Sequence, residues 1–171
     1  AYRRQRQMCI RDSSNYFDTR WKTMYDDGNL YLYIRKSYPN PFIKGLDIII
    51  PQAGIYTSYV VRDLEKNVIF TSKCIPNFRN FREIHCNYRG THIEMKEFTL
   101  VNKPVKFTYD NEDYFIKKTS PETCTITNYE NEKLSHWAKN EGQVSFHILN
   151  ESSKPIEELL IILSHALMNK I

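Results

Sequence analysis

The five histidines of this 171-residue chain are the side chains best suited to acid–base or metal chemistry. His85 and His92 share one face of a predicted hairpin with Glu94, which should lie opposite His85. Imidazole and carboxylate groups are zinc ligands, but a single strand pair supplies all three residues and no fourth ligand is evident. We therefore interpret this face as polar and solvated, without a metal, and keep a metal site as the alternative.

A second histidine pair, His136 and His147, would meet across the turn at residues 140–142. A register shift of one residue would place them on opposite faces. His165 falls inside an apolar helix, where a buried imidazole needs a hydrogen-bond partner. The chain shows no Ser/His/Asp order, nucleophile elbow or phosphate-binding glycine loop. We therefore expect no catalytic residues, no cofactor and no enzymatic activity.

The strongest candidate for ligand binding is the segment Phe78-Arg79-Asn80-Phe81-Arg82, with Lys73 nearby. Its two arginines offer forked donors to phosphate, and its two aromatic rings suit a membrane interface. Three more cations could join from the loop around residues 39–41: Arg35, Lys36 and Lys44. The alternative is that Phe78 and Phe81 plug the end of a barrel while the arginines are solvated. We favour that alternative, and name Lys73, Phe78, Arg79, Phe81 and Arg82 as the candidate headgroup site.

The end of the chain, residues 155–171, indicates how the fold is built. Five consecutive apolar residues, 159–163, point all around a helix, so the helix must be buried on every side. It is too short for a bilayer, which needs roughly 20 apolar residues. We expect a helix from about Ile156 to Met168, capped by Ser153, in the centre of the protein. Its predicted core residues are Leu159, Leu160, Ile162, Leu163 and Leu167.

The rest of the chain is typical of a mainly β protein, with about 12 short strand candidates separated by turn signals. The clearest hairpin joins residues 82–88 to residues 91–98, whose side chains alternate between apolar and polar. Pairing across the turn at residues 110–113 would place Tyr109 opposite Tyr114 and Phe107 opposite Ile116. Because a central helix needs a wide can, we predict a closed antiparallel barrel of about 12 strands around the buried C-terminal helix.

The net charge of +4 depends on the first residues. Residues 1–13 lack a hydrophobic period and resemble translated sequencing-adapter read-through, so we expect a disordered or non-native segment that packs against nothing. Four arginines and Asp12 give this segment a charge of +3, which leaves +1 for the domain at residues 14–171. A nucleic-acid partner is then not expected. The four cysteines lack paired or metal spacing, and we interpret them as free thiols in a reducing compartment.

Several short segments of the sequence resemble those of a known family. They are Asn67–Lys73, Phe78–Ile84, Phe107–Lys118, Leu134–Lys139 and the helical pair Ser164–His165. From about Tyr16 to its end, the chain resembles the tubby C-terminal-like superfamily, which includes the phospholipid scramblases and the LURP-one-related proteins. It is most similar to the small bacterial tubby C-terminal-domain-like proteins. Those proteins usually end in an aromatic-rich helix, whereas this helix reads Leu-Ser-His-Ala-Leu-Met.

The resemblance implies a barrel around a C-terminal helix and a role in binding. Eukaryotic tubby domains bind phosphoinositide headgroups through basic surface residues, and scramblases act at membranes. We therefore expect a monomeric module at the cytoplasmic membrane surface, without a transmembrane segment, which binds anionic phospholipid. Two alternatives stay open. One is a protein-interaction or structural module without lipid binding, and the other is a small enzyme that uses histidines at one barrel end.

Overall fold

The computed structural model describes residues 4–6, 8–10, 19–26, 28–38, 41–42, 44–45, 58–75, 81–98, 104–140 and 143–168. At residues 4–6, 8–10, 81, 82, 97, 98 and 143 only the backbone is described. The strands are β1 (Arg4–Arg6), β2 (Met8–Ile10), β3 (Lys22–Asp26), β4 (Asn29–Ser37), β5 (Ser58–Arg62), β6 (Val68–Ile75), β7 (Phe81–Tyr88), β8 (Thr91–Phe98), β9 (Val105–Tyr109), β10 (Glu112–Ser120), β11 (Thr123–Asn128), β12 (Lys133–Asn140) and β13 (Gln143–Ile148). A 3₁₀ helix (Glu151–Ile156) leads into helix α1 (Glu157–Met168).

All described strands belong to one antiparallel sheet, and the eleven from β3 to β13 follow one another in chain order. Antiparallel neighbours can be joined by tight connections, and only two residues separate β7 from β8, β9 from β10 and β10 from β11. Arg89 and Gly90 join β7 to β8 with φ angles of 48° and 90°, the left-handed region that two-residue hairpin turns require. The protein is therefore mainly β with a C-terminal helix, as predicted.

The hairpin of β9 and β10 corrects one predicted register. Tyr114 pairs with Phe107 and Ile116 with Val105, whereas the sequence pattern predicts Tyr109 opposite Tyr114. The turn consists of two residues instead of four, since Asp110 and Asn111 both adopt left-handed conformations with φ of 52° and 62°. Asp and Asn tolerate this region better than most residues. The shift is two positions, so each side chain keeps its predicted face.

The hydrogen-bonded sheet is not closed: β1 is the strand at one end of it and β2 is the strand at the other end. β1 pairs with β13, while β2 pairs with β3 and lies beside β13. Our expectation that residues 1–13 pack against nothing is therefore wrong for the backbone of these two strands. A sheet edge offers unpaired N–H and C=O groups, which a segment can pair without any side-chain periodicity. The non-native origin of residues 1–13 stays a prediction.

Helix α1 is buried along its whole apolar length, as predicted. Each residue from Leu159 to Met168 is at most 5% exposed, including all the predicted core residues. Their neighbours in the hydrophobic core come from every strand between β3 and β13. Trp137 and Phe146 are the largest fully buried rings of β12 and β13. The sheet thus provides apolar surface around the helix, which explains why a helix without a polar face is stable.

The start of the helix differs from the prediction. Asn150, not Ser153, is the N-cap, and its side chain accepts a hydrogen bond from the backbone N–H of Ser152. Ser153 is instead buried, and its hydroxyl donates to the backbone carbonyl of Asn150. An added 3₁₀ turn causes this change, because it moves the first unpaired N–H groups upstream. Among the described residues, no helix is long and apolar enough to cross a membrane.

Candidate functional site

A basic cleft lies where β4 ends. It has a volume of about 490 Å³, within the range of small-molecule sites. Its described lining residues are Thr19, Arg35, Lys36, Ser37, Tyr38, Pro41 and Lys44. Three of these seven are cations and none is acidic. The cleft therefore has the charge to attract an anion, and its small polar side chains can add hydrogen bonds.

One cation of this cleft, Arg35, packs against an aromatic ring. The Cζ atom of Arg35 lies 4.7 Å from the centroid of the Trp21 ring, and Arg62 contacts the same ring at 4.6 Å. Nε of Arg35 is inaccessible to solvent and has no hydrogen-bond partner among the described residues. Stacking on an indole fixes the plane of a guanidinium group, which lowers the entropy lost when it binds a ligand. Arg35 is therefore a preorganised donor group at the wall of the cleft.

The predicted headgroup residues are described only in part. Lys73 is exposed on β6, and the register places it opposite His85. Phe78 and Arg79 lie outside the described residues, and only the backbone of Phe81 and Arg82 is described, at the start of β7. The structure therefore does not test whether these residues form one group.

The basic cleft lies at the end of the sheet where β6 finishes and β7 begins. Ser37, the last residue of β4, pairs with Ser58, the first residue of β5. β6 then runs back to this end and finishes at Ile75, and β7 begins there at Phe81. Because strand direction alternates in an antiparallel sheet, Arg35, Lys36 and Lys44 lie at the end where residues 76–80 connect two strands. That the two segments form one site stays a prediction, because residues 76–80 lie outside the described part of the chain.

Two of the histidines, His85 and His92, lie on the outer face of the β7–β8 hairpin. His85 pairs directly with Glu94, as predicted, and its ring centroid lies 5.4 Å from that of His92. The Oε1 atom of Glu94 lies 3.3 Å from Nε2 of His92 and 3.8 Å from Nδ1 of His85. These three side chains therefore meet at one point on the surface of the β7–β8 hairpin.

His136 and His147 are direct partners in the ladder of β12 and β13, so the register favours the paired arrangement. Their ring centroids are 6.4 Å apart, and Nδ1 of His136 lies 3.3 Å from the Thr125 hydroxyl. No third metal-ligating side chain joins them in the part of the chain that the structure describes. His165 is 5% exposed, inside the core.

The sequence pattern did not predict a group of hydrogen-bonded side chains, Tyr88, Arg89 and Glu158, that joins the helix to a hairpin turn. We call this group the polar lock. Glu158, in the first turn of α1, accepts a hydrogen bond of 2.7 Å from the Tyr88 hydroxyl. The guanidinium group of Arg89 donates to the same carboxylate, with Nη2 3.0 Å from Oε1. Burial, together with the hydrogen bond to Glu158, raises the pKa of Tyr88 to about 12. This lock fixes the helix N-terminus against the β7–β8 turn and is structural.

The fold is one antiparallel sheet with a buried C-terminal helix and a basic surface cleft, and a fold alone does not establish a function. The chain belongs to the Tubby C-terminal like domain family, whose model matches residues 15–169. Searches of the curated proteins and of the solved structures each gave no match. The match includes the basic cleft, the helix and the histidine-bearing hairpin.

Proposed function

We propose that this chain is a non-catalytic module that binds phosphate-bearing anions, first of all anionic phospholipid headgroups at the cytoplasmic membrane surface. The observation that carries the proposal is the cleft whose described lining contains Arg35, Lys36 and Lys44 and no acidic residue. Arginine suits phosphate because its planar fork matches two oxygens at once, and lysine adds a point charge. The resemblance to tubby-like proteins implies the same class of ligand.

The absence of a catalytic role is also part of the proposal. Three cysteines, Cys74, Cys86 and Cys124, are buried thiols outside any disulfide. Burial raises the pKa of the Cys124 thiol to about 11, so this thiol is protonated near neutral pH and a poor nucleophile. An interaction module without lipid binding is the competing proposal, and the vesicle experiment below separates the two.

We also propose that the sheet closes around the helix as a barrel. The two end strands, β1 and β2, are separated in sequence by one residue, and β2 lies beside β13. A closed wall would explain why α1 is covered on all sides. Hydrogen exchange of the β1 and β2 amides is the test, since an open sheet would leave one edge of each of these two end strands unprotected.

The first test is co-sedimentation with phosphatidylglycerol-containing vesicles at low and high salt. We expect the wild type to bind at low salt and to dissociate as salt rises, because exposed charges are screened within about 10 Å at 0.1 M. A basic residue near an anionic membrane contributes about 1 kcal/mol, which corresponds to roughly fivefold in partitioning. Lys44→Glu removes a positive charge and adds a negative one, so we expect a loss of more than about tenfold.

Lys117→Glu is the matched control, because this exposed lysine lies on β10, six strands away from β4 in the sheet order. It has the same effect on net charge and should reduce binding far less than Lys44→Glu. Equal losses in the two variants would show a general charge effect and would contradict the cleft. Arg35→Lys separates charge from geometry, since it keeps the cation and removes the fork.

The predicted headgroup segment has its own variant, Arg79→Ala with Arg82→Ala. If residues 78–82 contribute to the same site as the cleft, this double variant should abolish vesicle binding and leave the melting temperature unchanged. Glycerol phosphate in excess should displace the protein if the phosphate group alone is recognised. Failure of the wild type to bind vesicles at low salt would refute the lipid proposal and favour the interaction module.

A further inference from the structure

We propose that the outer face of the β7–β8 hairpin binds a divalent transition-metal ion, with zinc as the reference ion. The ligands are Nδ1 of His85, Nε2 of His92 and a carboxylate oxygen of Glu94. The possible ligand atoms of these three residues all lie within 4.8 Å of one another. The site is separate from the basic cleft and does not rest on the proposed lipid function.

The distances suit an ion after small side-chain rotations. Zinc binds nitrogen and oxygen ligands at about 2.0–2.2 Å, which places tetrahedral ligands about 3.4 Å apart. The carboxylate oxygen Oε1 of Glu94 already lies 3.3 Å from Nε2 of His92 and 3.8 Å from Nδ1 of His85. In the proposed site, changes of side-chain torsion on a fixed backbone close the remaining gap.

The backbone that presents these ligands is well defined. β7 and β8 pair without a register shift from Phe81 opposite Phe98 to Tyr88 opposite Thr91. Glu94 lies directly opposite His85, and His92 is two residues from Glu94 on the same strand and therefore on the same face. The opposite faces of these strands carry Ile84, Cys86, Ile93 and Met95, all buried in the core. These packed side chains hold the backbone segments that carry the three ligand residues.

A second carboxylate lies behind the first histidine. Oε2 of Glu83 is 4.0 Å from Nε2 of His85, while the other ring nitrogen faces Glu94. When a histidine binds a metal through one nitrogen, its other N–H usually points to a carboxylate, which orients the ring and raises its basicity. The two carboxylates also offset the positive charge of Lys73, which is the ladder partner of His85.

The donor set selects the class of ion. Two imidazoles favour zinc, copper or nickel over magnesium and calcium, which prefer oxygen ligands. The side chains of His85, His92 and Glu94 are 30%, 57% and 62% exposed, so solvent can reach the ion. Three protein ligands leave a fourth position for water or for a donor from another molecule. We therefore expect an open site of one ion per chain.

The test is calorimetric titration of the full chain with zinc alone, after dialysis against a chelator. We expect one site, which His92→Ala and Glu94→Gln each weaken by at least about tenfold. Glu83→Gln should weaken it by about tenfold, the usual size of an outer carboxylate effect. Binding should also weaken as the solution is made acidic, since a protonated imidazole cannot be a ligand.

Control variants show whether other residues could produce the same zinc binding. His136→Ala removes a paired histidine elsewhere in the sheet and should leave zinc affinity unchanged. A Cys9→Ser background excludes thiol binding at the one cysteine whose side chain is not described. With nickel or copper, spectra should report two nitrogen ligands in the wild type and one in His92→Ala. Absence of zinc binding, or unchanged affinity in both His92→Ala and Glu94→Gln, would overturn the proposal.

Vesicle binding provides a check on independence. The chelator-treated protein should bind vesicles as the untreated protein does, and Lys44→Glu should bind zinc as the wild type does. Loss of zinc binding in Lys44→Glu would show that the two sites are one, and would refute the placement of the metal on the β7–β8 hairpin.

Discussion

Leu160→Ala and Leu163→Ala are each expected to lower the free energy of unfolding by about 2–5 kcal/mol. Both side chains are 0% exposed on a helix that is buried on every side. Truncation removes three side-chain carbons from the core and leaves a cavity, and the strands around the helix are held by their own ladders. The sheet therefore cannot collapse easily onto the space, which places the cost in the upper part of the range.

The matched control is Leu64→Ala, the same chemical change at a side chain that is 56% exposed between β5 and β6. Surface changes of this kind usually alter stability by less than about 0.5 kcal/mol. Urea unfolding followed by tryptophan fluorescence provides the measurement, since Trp137 is fully buried. If Leu160→Ala were no more destabilising than Leu64→Ala, the helix would not be the centre of the fold.

The burial of the helix can be predicted because it follows from one short segment of sequence, which allows no other arrangement of the helix. A run of consecutive apolar residues has no polar side to present to water, so a helix made from it must be enclosed. The β7–β8 hairpin is predictable for a similar reason. Alternation determines both faces, and the turn at Arg89 and Gly90 determines the register, so the residue pattern alone is enough to place Glu94 opposite His85.

Predictions failed where several backbone solutions satisfy the same side-chain pattern. The β9–β10 turn can contain two or four residues. The two resulting registers differ from each other by two positions, so the same side chains face the core in both. Only the left-handed conformations of Asp110 and Asn111 decide between them. The pairing of residues 4–6 and 8–10 was missed for another reason, since edge pairing uses backbone groups that every residue carries.

The sequence was sufficient to predict which cations belong to the candidate site. It was not sufficient to predict that they line a cleft. Arg35 and Lys44 come from a strand and a following helical segment, and nothing in the sequence between them specifies a cleft. The stacking of Arg35 and Arg62 on Trp21 needs three separate segments of chain. The lock between Tyr88 and Glu158 joins residues 70 positions apart, a separation that hydrophobic periodicity cannot bridge.

That lock, with a second tyrosine, leads to the other large expected effect: the protein should lose stability as pH rises from about 10 to about 12. Burial and the hydrogen bond to Glu158 raise the pKa of Tyr88 to about 12 in the folded state. Burial and the hydrogen bond to Glu112 likewise raise the pKa of Tyr114. An unfolded tyrosine has a pKa near 10.

The sign follows from which state loses its proton first. Above pH 10 the unfolded chain releases the tyrosine protons, while the folded chain still holds them to keep its hydrogen bonds to Glu158 and Glu112. The unfolded state then binds fewer protons, so the free energy of unfolding falls with pH. The stabilisation from Tyr88 is complete below pH 10 and is lost as pH passes its folded pKa.

Thermal melts between pH 8 and 12, with tyrosinate absorbance recorded in parallel, measure this loss. Tyr88→Phe should be less stable near neutral pH, because it removes the hydrogen bond to the partly buried Glu158 carboxylate, and its stability should fall less steeply above pH 10. Tyr88→Phe combined with Tyr114→Phe should flatten the profile further. Tyr129→Phe is the control: this ring is 65% exposed and its hydrogen bond to Glu130 is screened by solvent, so the variant should change the slope far less. A double variant with the wild-type slope would show that other groups cause the alkaline loss.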